Sequence, residues 1–376
     1  MRCLHQTPQT DGPHVIKRFF SSGWWIMALV AAITIGLVIK KIVLPLAHGQ
    51  VHPIVGDGVH VKSYQFPLSP CLVPRKDIIA GGNCKNALAA LNNPYTITPA
   101  RVASINAGLA DSGGYIQGPD RVIGVVIDGQ ARAYPVPIMN WHQVINDRLG
   151  GQPIVVTWDP FASCAMVFSR TIGGRIRRFG YSGLICNGNS VIYNVAATNA
   201  QESLWSPIQC RAITGPAAGR HRKLRPLPFS LVTWHQWKSM FPQTTMIEGI
   251  PRLFPAYRKD IYNSYDHDPT DFHYPVWPRW NHAHPAAKSR ILALYLKKRW
   301  HPLPIRKLFR IKNLAGVVHL RVAGENVVIQ CWRNLATRTV SVIAPNHVPT
   351  ACCFLYVWHA QRPDEFASPL WRALAR

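Results

Sequence analysis

One apolar run constrains this chain more than any other feature. From Trp24 to Ile39 (WWIMALVAAITIGLVI) sixteen residues carry no charge, and after Lys40 and Lys41 the run resumes as IVLPLA up to Ala47. A bilayer core needs roughly 20 helical residues. That length is reached when the two lysines snorkel to the interface, with Trp24 and Trp25 in the opposite aromatic belt. The expectation is a signal anchor over 23–47. It follows a short cytoplasmic tail, 1–22, that holds Lys17 and Arg18, and it precedes an extracytoplasmic body, periplasmic or at the cell surface. A cleaved signal peptide competes, although Pro45 fits a small-x-small cleavage site poorly. A buried core helix and an anchor of opposite orientation also stay open, because basic residues flank both ends of the run.

Composition places the remainder. The 42 Lys and Arg against 17 Asp and Glu give a formal charge of +25 over 376 residues, so the surface attracts phosphate or anionic lipid. A hydrophobic content of 48% excludes a disordered chain. The nine cysteines are too sparse for a small disulfide scaffold. Leaving out Cys3, eight scatter through the body (Cys71, Cys84, Cys164, Cys186, Cys210, Cys331, Cys352, Cys353) with no CxxC and no zinc-finger spacing. Buried free thiols are the plainer reading, and disulfides in an oxidising compartment stay open.

Residues 48–120 are rich in Gly, Pro and Asn and read as a loop-rich lead-in with one short helix near Lys85–Leu91. Regular structure starts at Arg121. RVIGVVIDGQARAYPV reads as a hairpin around Asp128-Gly129, IMNWHQVIND as a short helix, and PIVVTW as a buried strand after Gly150-Gly151. AMVFSR and RIRRFGYSG flank a Gly173-Gly174 turn as a further hairpin, and ILALYL and NVVIQCW read as buried strands. The sequence also echoes itself. Asn146–Phe168 lies ungapped over His319–Ser341, RAYPVPI finds RWHPLPI, and TWHQWKSMFP finds FLYVWHAQRP. The fold class expected is α+β, with β-rich antiparallel hairpins, a few short helices and partly duplicated lobes, preceded by the one N-terminal transmembrane helix. A main lobe spans 121–250 and a second, partly repeated lobe spans 251–376.

Several ordered words carry a resemblance. VGDGVHVKSYQFPLSPCLVPRKDIIAGGNCKNALAAL, DRVIGVVIDGQARAYPVPIMNWHQVINDRLGGQPIVVTW, FGYSGLICNGNSVIYN, ESLWSPI, AITGPAAG and TWHQWKSMFPQT resemble the family called domain of unknown function 3179. The match runs from about Val55 to Pro242 and continues more weakly through NSYDHDPTDFHYPV and WHAQRPDEF. The resemblance implies an exported or membrane-anchored protein of a family without an established reaction. The departures are informative. Where members resemble TYCPLC, a pair suited to redox or soft-metal chemistry, Asp159 and Ala162 stand at the cysteine positions. Where they resemble WHEIVND, Gln143 replaces the acid. Where they resemble YNSNLLMYDR, the aspartate–arginine pair is lost. These changes suggest a member that keeps the fold and has lost or altered the family's chemistry.

The residues supply further candidates. His142, Asp147 and Asp159 would make an acid, base and orienting set, although His142 and Asp147 are five apart and share no helix face. Cys164, Tyr193 and Trp205 complete the catalytic candidates of a redox- or metal-dependent enzyme. His267, His273, His282 and His284, among the aspartates of Tyr265–His284, are metal-ligand types without HExxH spacing. Arg220–Arg225 (RHRKLR) is a first basic run. In the second, Lys297, Lys298, Arg299, Arg306, Lys307 and Arg310 alternate with aromatic and aliphatic residues, a pattern suited to anionic lipid headgroups. An extracytoplasmic body argues against nucleic acid, and no P-loop, GxGxxG or GxSxG word occurs. The reading is a membrane-anchored, non-catalytic protein that binds a ligand or another membrane protein. The altered-site enzyme and the lipid binder compete with it, and the cofactor is unknown.

Overall fold

The computed structural model describes residues 53–279, 287–306, 308, 315–333, 340–343 and 345–367. The tail 1–22, the anchor 23–47, His282, His284, Lys307 and Arg310 lie outside the described residues. Among the described residues no helix is long and apolar enough to cross a membrane.

Asp128 and Gly129, at φ 48 and 71, close the first hairpin between β1 (Arg121–Ile127) and β2 (Gln130–Pro135). Positive φ at both turn positions matches the right-handed twist of the strands. The helix α1 (Val136–His142) follows, with Pro137 in its first turn. The expected helix through Asp147 is therefore corrected. Gln143 turns left-handed at φ 56, and Val144 starts β3 (Val144–Leu149), paired across the Gly150-Gly151 turn with β4 (Gln152–Asp159). The β-branched run at 144–145 packs better on a pleated sheet than in a helix. Then come β5 (Cys164–Ser169), β6 (Phe179–Cys186), β7 (Asn189–Asn194), β8 (Ser230–Thr233) and α2 (Trp234–Met240). The second half supplies β9 (Arg290–Leu296), β10 (Arg299–Pro304), β11 (Ala315–Val322), β12 (Glu325–Arg333), β13 (Val340–Ile343), β14 (Thr350–Phe354) and α3 (Leu355–Gln361).

The described residues are α+β and rich in antiparallel strands, in three layered sheets and one separate two-stranded hairpin. The outer sheet runs β11-β12-β13-β8-β1-β2 and ends on two short strands. The central sheet runs β10-β9-β14-β5-β4-β3 and ends on Leu91–Asn92. These orders match when one is read from its other end, β11-β12-β13-β8-β1-β2 against β3-β4-β5-β14-β9-β10: a hairpin and a strand from one half of the chain join a strand and a hairpin from the other. The echoed words fall on matched elements, β3-β4-β5 over β11-β12-β13, β2 over β10, and α2 over α3. Both large sheets therefore draw strands from each side of residue 250.

Alternation sets the layers. Ile154, Val156 and Trp158 of β4 enter the core between the outer and central sheets, while Val155 enters the core on the other face. Leu292 and Leu294 against Ile291 and Ala293 in β9 repeat the pattern. The central strands are buried on both faces, which is why they read as continuous apolar runs. The second core is closed by α3 and by the small sheet of β6 and β7, which pairs with Ile78–Ala80, Leu204–Ser206 and Arg211–Ala212. The lead-in covers the far face of that sheet with Tyr64 and Phe66. It carries no helix near Lys85–Leu91, because Lys85 bridges to Val55 and Asn86 is left-handed. Its helix is Pro99–Gly108, capped by the Thr98 side chain, which accepts from the Arg101 amide.

Candidate functional site

Residues of three separate words, around Gln143, Asp159 and Asn189, converge. β4 ends at Asp159, and the turn after it folds back so that the Phe161 and Ala162 amides donate to Asp159 Oδ1 at 3.0 and 3.2 Å. From the small sheet, the Asn189 side-chain amide and the Ser190 backbone amide donate to Oδ2 at 2.9 and 2.6 Å. Four donors therefore fill the roughly four acceptor positions of the carboxylate. Asp159 is 3% exposed. Burial raises its pKa, and the amides of Ser190, Ala162 and Phe161 oppose the rise.

Gln143 and Asn189 line the same cavity with Tyr181 and Cys164, and the space inside is about 10 Å³. That is room for one water at most. Gln143 Oε1 and Asn189 Oδ1 have no hydrogen-bond partner among the described residues. Phe161 is fixed from outside: its carbonyl accepts from Tyr265 Oη at 2.8 Å, and its ring stacks on His273 at 3.9 Å between centroids. Tyr262, Tyr265 and Tyr274 meet that ring edge-on.

The proposed histidine set is not assembled. His142 donates from Nδ1 to the Ala89 carbonyl at 2.7 Å and accepts at Nε2 from Tyr257 Oη at 2.8 Å. Burial lowers its pKa, and both ring nitrogens are taken up in hydrogen bonds within the fold. Asp147 is held by Arg132 at 2.7 Å and by Tyr134 Oη at 2.8 Å. Cys164 is a free thiol, and its hydrogen bond with the free thiol of Cys353 first, then burial, pushes it well above the ordinary range. Such a thiol is a poor nucleophile. Tyr193 donates to Asn86 at 2.7 Å in a different core. Trp205 donates to Asn194 at 2.9 Å and lines a separate cleft.

His267 is exposed and bonded to the Asn263 carbonyl, and His273 is taken up in the Phe161 stack. Among the described residues no group of three His, Cys, Asp or Glu side chains is placed to hold a metal ion. In the second basic run Lys297, Lys298, Arg299 and Arg306 are exposed, while Trp300, Leu303 and Ile305 between them are buried in the cores. The apolar half of that pattern is used in packing.

Sequence reasoning missed a buried ion pair. Lys85 meets Glu202 at 2.6 Å with both side chains nearly sealed, and its ammonium lies 4.6 and 4.7 Å from the Phe66 and Tyr193 ring centroids. Burial raises the Glu202 pKa against the opposing pull of Lys85. The AGGNCK word held Lys85 in view, but nothing local marked its partner 117 positions on.

A family described as protein of unknown function (DUF3179) matches residues 94–354. Neither a curated protein nor a solved structure matches the chain.

Proposed function

The chain belongs to the DUF3179 family, and from that premise we propose that it is a membrane-anchored, extracytoplasmic binding protein whose family centre no longer turns over a substrate. The observation that carries this is the Asp159 carboxylate. It stands where the resemblance puts a cysteine, it is saturated by four donors, and it faces a void of about 10 Å³. A general base needs a free lone pair within reach of a substrate proton. A metal ligand needs one free for the ion. Asp159 instead joins the central sheet to the small sheet. The anchoring rests on the apolar run Trp24–Ile39, and a partial duplication on the matched strand orders.

Elemental mass spectrometry on the full chain, purified in detergent without chelator or histidine tag, tests the reading. The expected result is no stoichiometric transition metal in either the parent or Asp159→Ala. Near one equivalent per chain that is lost on Asp159→Ala would establish an altered metal site instead. Extraction of membranes with alkaline carbonate tests the anchor. The chain is expected in the pellet, and release to the supernatant would contradict it.

A further inference from the structure

We propose that the arginine-lined cleft beside the small sheet binds a compact polyanion bearing two or more phosphate groups. The cleft holds about 700 Å³, the scale of a small-molecule site. Arg175 and Arg177 enter it from the hairpin after β5, and Arg220 and Arg222 enter from the segment after the short helix Gly215–Gly219. No Asp or Glu lines it. Glu202, between the lining residues Gln201 and Ser203, is held by Lys85 at 2.6 Å. None of the ion pairs among the described residues uses any of the four arginines.

Four arginines around one concavity with no acid in its lining make it strongly positive, and an anion bound there is attracted to all four. Their backbones are fixed. The Arg177 amide donates to the Arg170 carbonyl at 2.9 Å, the Arg222 amide donates to Ala217 at 3.0 Å, and the Arg222 carbonyl accepts from Ala212 at 3.0 Å. Gly173, at φ +57, lets the Arg222 guanidinium lie against the hairpin, where a Cβ would come within 2.9 Å of Cζ. This contact ties the two arginine-bearing segments together. The planar forks match phosphate oxygens in pairs, and four forks suit at least two phosphates. The cleft is separate from the Asp159 cavity, so the proposal stands whether or not that centre is inert.

Calorimetric titration of the detergent-solubilised full chain with inorganic tripolyphosphate tests it. Binding is expected. Arg220→Ser/Arg222→Ser should raise Kd by about 30-fold or more. Arg175→Ser, from the other segment, should weaken binding in the same direction. The charge-matched Lys297→Ser/Lys298→Ser, on a different hairpin, should change Kd by less than about threefold. No binding by the parent, or equal weakening by the two double variants, would overturn the proposal. A second arm adds vesicles containing a phosphatidylinositol bisphosphate, whose headgroup carries several phosphates, to the tripolyphosphate complex. Displacement that requires Arg220 and Arg222 supports the cleft with a lipid headgroup as the source of the phosphate. Persistence of the complex supports it with a soluble ligand.

Discussion

Asp159 and Lys85 are two buried charges with opposite surroundings. Asp159 is held by dipoles: four N–H groups reach it, and none of the ion pairs among the described residues includes it. Asp159→Asn turns an acceptor into a donor facing those amides, and thermal denaturation should show a loss of about 2–4 kcal/mol. Lys85 has both an ion-pair partner and two aromatic faces. Lys85→Met strands Glu202 and should cost about 3–5 kcal/mol, while adding Glu202→Leu should recover most of it. His142 adds a pH dependence. Its folded pKa is lowered by burial, so below about 6.5 the unfolded chain binds the extra proton. Its contribution to stability is complete above that value and is lost as pH falls through the folded pKa. The Tm of the parent should therefore fall more steeply between pH 7 and 5 than that of His142→Gln, and equal slopes would contradict the assignment. The sequence made Asp159 visible as a departure from a pattern. It did not reveal Cys353 as the partner of Cys164 or Glu202 as that of Lys85, because both lie far along the chain.

At the scale of elements, turn chemistry was the most legible. Asp128-Gly129 and Gly150-Gly151 specified two hairpins, because their positive φ values need residues with little or no steric penalty. The apolar runs specified strands, and burial on both faces explains why they lacked alternation. The helix was misread past His142. The same polar-apolar spacing suits a strand once Gln143 reverses the chain, and a single left-handed residue leaves no periodic mark. The Lys85–Leu91 helix failed for a related reason: bridges to distant backbone override a weak local preference. Packing between elements offers a sharp test at Gly124 of β1. A Cβ there would lie 2.3 Å from the Trp237 ring of α2. Gly124→Ala should cost about 1–3 kcal/mol, measured by denaturant unfolding, and Trp237→Leu in the same chain should recover part of it.

For the whole molecule, strand topology spans the described chain from end to end. The pieces of the internal echo fall on matched places in two sheets that each use both halves of the chain. A fragment ending at residue 250 would leave β8 and the part of β5 not covered by Arg225–Pro226 as open, apolar sheet edges. Residues 53–250 expressed alone should aggregate, while co-expression with 251–376 should give a soluble complex. A stable monomeric fragment would contradict the interlocked topology. The three layers also determine where chemistry can occur. The family words meet between the central and small sheets and are sealed there, whereas the arginine cleft lies open on the small sheet's flank. The central claim is that the Asp159 centre is a closed structural joint. Amide hydrogen exchange at Phe161, Ala162 and Ser190, the backbone donors to its carboxylate, tests this most directly. The account predicts opening free energies within about 1 kcal/mol of global unfolding. Exchange through a local opening several kcal/mol cheaper would show a centre that opens to admit a substrate, and would contradict it.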